Sequence, residues 1–330
     1  MNIFQCNSCG SQVFFENTLC LTCASPLGFD VGKMDMMLAD TTYKYCQNQA
    51  SGVCNWLLPA HSPEHFCISC ATNKTIPNLR EPDTLQKWKD IEMAKHRVLY
   101  SLLKLGLRFS YQTAWKSLNL QFDFLKSTPA KQVLTGHDSG LITLNISEAD
   151  PVERSRMKES LNEKYRTLIG HFRHELGHFY WDALIATDYQ ALEKFRQIFG
   201  DERYEYSAAL DQYYQYGPKA SWQENFVSAY ASSHPWEDWA ETWAHYLHIM
   251  DTAETAAANQ LIINGSDMTA HTGVYAENDF SGLLKDIIPL FVFANSLNTG
   301  MGLPSFYPFQ LTAGIAAKLQ FIHELCQRQR

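Results

Sequence analysis

The chain has 330 residues, 45% of them hydrophobic and 19% charged, which describes a globular protein with a sizeable core and excludes a disordered or low-complexity chain. Its formal net charge of −8 argues against a broad electrostatic grip on nucleic acid or an anionic membrane. The start, Met1-Asn2-Ile3-Phe4, reaches Cys6 without a basic and then apolar stretch, and the longest apolar run, Ile287 to Ala294, is short for a bilayer span and holds Pro289. A soluble, cytoplasmic protein is expected.

Eight of the nine cysteines fall within the first 70 residues, as Cys6-x2-Cys9, Cys20-x2-Cys23, Cys46-x7-Cys54 and Cys67-x2-Cys70. A two-residue gap lets a tight knuckle aim both thiolates at one ion, and four thiolates complete a tetrahedral zinc site. Cys6, Cys9, Cys20 and Cys23 read as one such site. Cys46, Cys54, Cys67 and Cys70 read as a second, although an x7 gap is no knuckle and His61 or His65 could replace one thiolate. Without an export signal a disulfide framework is disfavoured. Residues 1–80 are therefore expected to form a metal-stapled module, with residues 81–330 as a second domain after the Pro-rich link around Pro77 and Pro82. A nucleic-acid reader would need a basic cluster beside the cysteines, and Lys33, Lys44 and Lys74 are too sparse.

From Thr84 the spacing of Trp88, Ile91, Val98, Leu102 and Leu105 predicts a helix, with Gly106 as its stop. Leu141 to Ile146 alternates like a strand, either a core strand or an edge on which an extended peptide could pair. One long helix is predicted from about Ser155 to Leu184, another from Pro235 to about Met250, and a last one from Lys318 to Cys326, whose thiol reads as inert and buried. Helices dominate with a small sheet: a mainly α, α+β chain.

The long helix carries His171-Phe172-Arg173-His174-Glu175-Leu176-Gly177-His178. Residues four apart share a helical face, so His174 and His178 can reach one zinc, while Glu175 is turned toward a zinc-bound water. The string is embedded in Phe172, Leu176, Phe179, Tyr180 and Trp181, where unpartnered polar groups would be costly. A catalytic zinc needs a third protein donor and an open fourth position. Glu237 and Glu241, four apart among Trp236, Trp239 and Trp243, offer that donor and a carboxylate to accept a ligand's ring N–H. Glu237 is favoured as ligand and Glu241 behind it, because the outer partner normally lies deeper. His171 reads as a histidine behind the ligands or in the core. Zinc chemistry then gives Glu175 the role of general base, taking a proton from water and passing it to the leaving amine.

The strings HFRHELGHFYWD, SAYASSHPWEDWAETWAHYL and VLTGHDSGLITLNI, with the cysteine-rich start, resemble a bacterial family of zinc-binding metallopeptidases that carry an N-terminal zinc ribbon, over essentially the whole chain. A more distant similarity, limited to H-E-x-G-H and a later tyrosine followed by E-x-F-A-E, is to anthrax lethal factor. The resemblance implies a gluzincin-like, zincin-type catalytic domain, with His174, His178 and Glu237 on zinc, Glu175 as base, Glu241 behind the ligands, and Tyr230 polarising the scissile carbonyl. The expected function is a zinc-dependent peptidase acting on a peptide or protein substrate, with one catalytic and one or two structural zinc ions. The ribbon would position a protein partner or shape access to the cleft. The competing expectation is a zinc-stabilised binding module that hydrolyses nothing.

Overall fold

A computed structural model describes residues 2–113, 117–129, 131–160 and 166–330. Eight α-helices and short strands make up the described chain, a mainly α, α+β protein. It forms two compact units that do not follow chain order. The first comprises Met1–Lys104, Leu120–Gly136 and Leu141–Ile169, the second Leu105–Asn119, His137–Gly140 and Gly170–Arg330.

The first unit begins with three antiparallel pairs: Phe4–Gln5 with Gln12–Val13, Leu27–Asp30 with Asp35–Leu38, and Tyr43–Tyr45 with Leu57–Pro59. Phe4 and Phe29 of these strands and the neighbouring Phe15 and Trp56 form an aromatic core, with Phe15–Phe29 and Phe29–Trp56 centroids 4.8 and 5.1 Å apart. Helix α1 (Thr84–Lys104) buries Trp88, Ile91, Val98, Leu99 and Leu102 and ends before Gly106, whose φ is +74°. It also inserts Tyr100 against Phe15 (5.3 Å) and His96 against Trp56 (5.0 Å). The helix that the sequence assigns to the second domain thus packs with the cysteine-rich segment.

Beside α1, Gln121–Leu125 pairs in parallel with Leu141–Asn145, in register from Gln121–Leu141 to Leu125–Asn145, and with Asn73–Thr75 on its other side. Parallel neighbours need a long crossover, and α1 lies within the one from residue 75 to 121. Ile142 and Leu144 are fully buried, so the 141–145 segment is a core strand. Lys95 lies over the Phe122 and Phe124 rings and pairs at 2.9 Å with Glu92, both side chains fully buried. Glu92 Oε1 also accepts from Trp88 Nε1 (3.1 Å) and Asn73 Nδ2 (2.6 Å), which offsets the cost of desolvating the pair.

The single helix expected over 155–184 is observed as α2 (Pro151–Ser160) and α3 (Leu168–Leu184). Arg166 and Thr167 are not helical, and residues 161–165 lie outside those described. In the second unit α3, α4 (Tyr189–Phe199), α5 (Tyr206–Tyr216), α6 (Pro235–Ala258), α7 (Phe280–Gly300) and α8 (Ala313–Gln327) follow in order. Helix α6 starts on His234, whose ring accepts the Trp236 N–H while Pro235 fills the first turn. It is the buried centre of the unit. Trp243 stacks on Tyr180 of α3 (4.9 Å), and Trp239 meets Phe199 of α4 (5.7 Å) and Phe321 of α8 (6.2 Å). Cys326 is fully buried, and burial pushes its thiol above the ordinary range. Among the described residues only α7 is long and apolar enough to cross a membrane, a property the shorter run 287–294 did not reveal. It also carries Lys285, Asp286 and Pro289, and buries Phe280, Leu283, Ile287 and Phe291 in the unit.

Candidate active site and metal centres

Each cysteine quartet brings its sulfurs together, with all ligand atoms of a set within 4.8 Å of one another. Cys6–Cys23, Cys9–Cys20 and Cys54–Cys67 Sγ atoms are each 3.7 Å apart. A tetrahedron with metal–sulfur bonds of about 2.3 Å has an edge of about 3.8 Å, so the quartets fit zinc; a disulfide would need about 2.05 Å. The knuckles explain the first set. Gly10 N–H returns to Cys6 O (2.8 Å) and Ala24 N–H to Cys20 O (2.9 Å), each from a residue with positive φ. The Ser25 amide and hydroxyl against Cys23 hold its thiol down at about 6, which favours the thiolate. In the second set the x7 gap is closed by a 3₁₀ turn, Gln47–Ser51, that ends at Gly52 and brings Cys54 back. Backbone N–H groups of Trp56, Cys67 and Cys70 reach the sulfurs of Cys54, Cys46 and Cys67, each at 3.4 Å. His61 and His65 are exposed and outside the cluster. Instead His96, which the sequence did not single out, puts Nε2 4.0 Å from Cys70 Sγ.

The third donor set is built by α3 and α6. His174 and His178 lie one turn apart with their rings nearly perpendicular and centroids 5.0 Å apart. Gly177 lets α6 close in on α3 at Ala240, and its carbonyl accepts the Trp239 indole N–H at 2.7 Å. That approach brings Glu237, in the first turn of α6, to the imidazoles: Oε2 is 3.1 Å from His174 Nε2 and Oε1 is 3.5 Å from His178 Nε2. Nitrogen and oxygen donors about 2.05 Å from one zinc are separated by about 3.3 Å. Glu237 is only 1% exposed, yet its Oε2 has no hydrogen-bond partner. A buried carboxylate oxygen facing an imidazole nitrogen without a donor is what a cation would satisfy.

Glu241, one turn further along α6, lies on the other side of His174. Its Oε1 accepts from Nδ1 at 2.8 Å and its Oε2 from the Ser228 hydroxyl at 2.6 Å. This bond fixes the ring of His174 so that its Nε2 faces Glu237. Burial opposes a charge on His174, but Glu237 and Glu241 outweigh it and hold its pKa well above the usual histidine value. Burial likewise works against the Glu237 charge, and His178 and His174 overcome it and hold the carboxyl low. The pocket favours positive charge.

Glu175 is buried on the same helix and outside the donor set. The half-buried Tyr230 has its ring 6.1 Å from that of His174, and burial pushes its phenol well above the ordinary range. His171 is half-buried one turn before His174 and does not join the donors. Three further residues adjoin the donors: Trp236 and His137, read from the sequence as part of a buried stretch and as turn chemistry, and Tyr206, which the sequence did not single out. The Trp236 ring lies 4.4 Å from His178, His137 stacks on the same imidazole at 6.3 Å, and Tyr206 of α5 donates its hydroxyl to Glu237 Oε1 at 2.7 Å. The tyrosine-rich string around 204–216 is the only local sign of the last.

Residues 84–325 match the family model described as "Putative zinc-binding metallo-peptidase". The chain belongs to that family. Residues 3–81 match a zinc-ribbon domain, so the family resemblance of both segments agrees with the motifs that suggested it. Zinc binding is thus supported by both matches and by the cysteine clusters. Uncharacterized proteins of Mycobacterium bovis and Mycobacterium tuberculosis are 38% identical over 325 residues, covering 98% of this chain and 94% of theirs. No solved structure matches the chain. The family matches meet near residue 82, whereas the first compact unit includes α1 up to Lys104.

Proposed function

We propose that this family member is a zinc-dependent, gluzincin-like peptidase in which His174, His178 and Glu237 hold one catalytic ion and the two cysteine quartets hold structural ions. The donor count supports catalysis over a purely structural role. Structural zinc sites are closed by four protein groups, as the quartets are, whereas catalytic sites keep three and leave one position open. Among the described residues the His174 set has three.

Bound there, zinc would supply Lewis acidity to a scissile carbonyl and lower the pKa of a water toward about 7. Glu241 fixes the His174 tautomer through Nδ1. Glu175 takes the proton of the attacking water and returns it to the leaving amine nitrogen. Tyr230 stays protonated at neutral pH and donates to the carbonyl oxygen as charge develops, a contribution of about 10²–10³ in rate. The substrate is a peptide or protein, and the reduced thiolates suit a cytoplasmic setting.

Glu175→Gln is expected to retain every zinc equivalent and lose nearly all cleavage of a peptide library. His174→Ala is expected to lose one equivalent. Undiminished turnover by the Glu175 variant would refute the mechanism.

A further inference from the structure

Tyr206 is the first residue of α5, an 11-residue helix with no buried side chain, flanked by Gly200 (φ +104°) and Gly217 (φ +82°). Its ring meets His234 (5.2 Å) and Trp236 (5.9 Å) edge-on, and these residues bracket the start of α6. Its hydroxyl reaches Glu237 Oε1 at 2.7 Å. This largely exposed helix also packs Tyr213 on Tyr230 (5.7 Å), and the Tyr206 phenol fastens it to the turn that carries the third metal donor.

A carboxylate can bind a cation through one oxygen or both, and the choice sets how many coordination positions remain for substrate and water. The two Glu237 oxygens are unequal. Oε1 already accepts a phenolic proton and lies 3.5 Å from His178 Nε2, whereas Oε2 has no hydrogen-bond partner and faces His174 Nε2 more closely, at 3.1 Å. The geometry points to Tyr206 as a positioning residue that holds Glu237 by one oxygen, so that only the other is offered to the ion. This assignment rests on reading His174, His178 and Glu237 as the metal site. It adds a residue that fixes how the site coordinates, and it links the site's affinity to the docking of α5.

The test uses the full chain with both cysteine quartets filled with zinc. The remaining site is titrated with Zn²⁺ against a chromophoric chelator, then loaded with Co²⁺ for visible spectroscopy. Wild-type protein is expected to give the intense bands of a four-coordinate centre. Tyr206→Phe is expected to weaken zinc binding about 10–100-fold. Its cobalt bands should also lose intensity as the second carboxylate oxygen enters. Tyr216→Phe, at the exposed far end of the same helix, should alter neither. Unchanged zinc affinity and cobalt spectrum in Tyr206→Phe would overturn the assignment. So would a five-coordinate spectrum in the wild type, whatever the variant does. Glu237→Gln and His174→Ala serve a separate purpose: if both bind the ion as tightly as wild type, the metal-site reading itself fails.

Discussion

Replacing Gly177 with alanine puts one methyl group between the two helices that supply the donors. An ideal Cβ at Gly177 would lie 2.8 Å from Ala240 Cα, 3.2 Å from its carbonyl oxygen and 3.3 Å from its Cβ. The obstacle is largely backbone and cannot rotate away. Reaching an ordinary 3.4 Å contact requires α3 and α6 to part by about 0.6 Å. Two terms oppose each other in stability. Alanine is favoured over glycine within a helix by about 1 kcal/mol, and overpacking costs about 1–3 kcal/mol. The net loss is about 0–2 kcal/mol, so the fold should survive. Function is less tolerant, because Ala240 lies between Glu237 and Glu241 and passes the displacement to both. Site geometry must hold to within about 0.5 Å, and a misplacement of about 1 Å can cost about 10²-fold. Thermal melts, zinc analysis and peptide cleavage should therefore diverge. We expect a melting point close to wild type, with hydrolysis reduced 10- to 100-fold and the His174 site only partly filled. A folded Gly177→Ala protein with full zinc content and full activity would refute the argument that this close approach sets the donors.

Cys67→Ser should remove one zinc equivalent, because Cys67 Sγ is 3.7 Å from Cys54 and accepts the Cys70 N–H. Zinc analysis checks it, and an unchanged metal count would exclude the second quartet as a site. His245 carries a pH dependence. Burial pushes its pKa down to about 4 from the ordinary 6.5, so the folded state resists its protonation. Its contribution is fully present above about pH 6.5 and is lost as pH falls toward 4, about 3 kcal/mol in all. Denaturant midpoints between pH 7.5 and 4.5, compared with His245→Asn, measure this contribution; equal slopes for the two proteins would count against it.

What was legible in the sequence is what local geometry dictates. The Cys-x2-Cys pairs and the His174–His178 spacing specify their own convergence within one turn of chain, whereas the depth argument for Glu241 behind Glu237 does not hold: Glu241 is 22% exposed and Glu237 1%, although Glu241 does bond the far nitrogen of His174. Helix α1 followed from apolar periodicity, and α6 was legible from Pro235 onward but continues past the expected end near Met250 to Ala258. Partners from distant segments left no such trace. Tyr206 reaches Glu237 across 31 residues. His96 approaches Cys70 from a helix whose period shows only that the position faces inward. No local pattern marks Lys95 and Glu92, which are fully buried where Asn73 and Phe122 complete their surroundings. The parallel strand Gln121–Leu125 alternates over too few residues to stand out, and the break between α2 and α3 interrupts a pattern that periodicity carries straight through.

Helix α1 also bears on how the chain could be shortened. Descent draws the seam near residue 82, but Tyr100 and His96 of α1 are seated among Phe15 and Trp56 on the far side of that seam. A C-terminal fragment cut there would carry a bare aromatic flank and would leave Glu92 without Asn73. Such a fragment should clump during expression, and the seam visible in ancestry is a poor place for scissors.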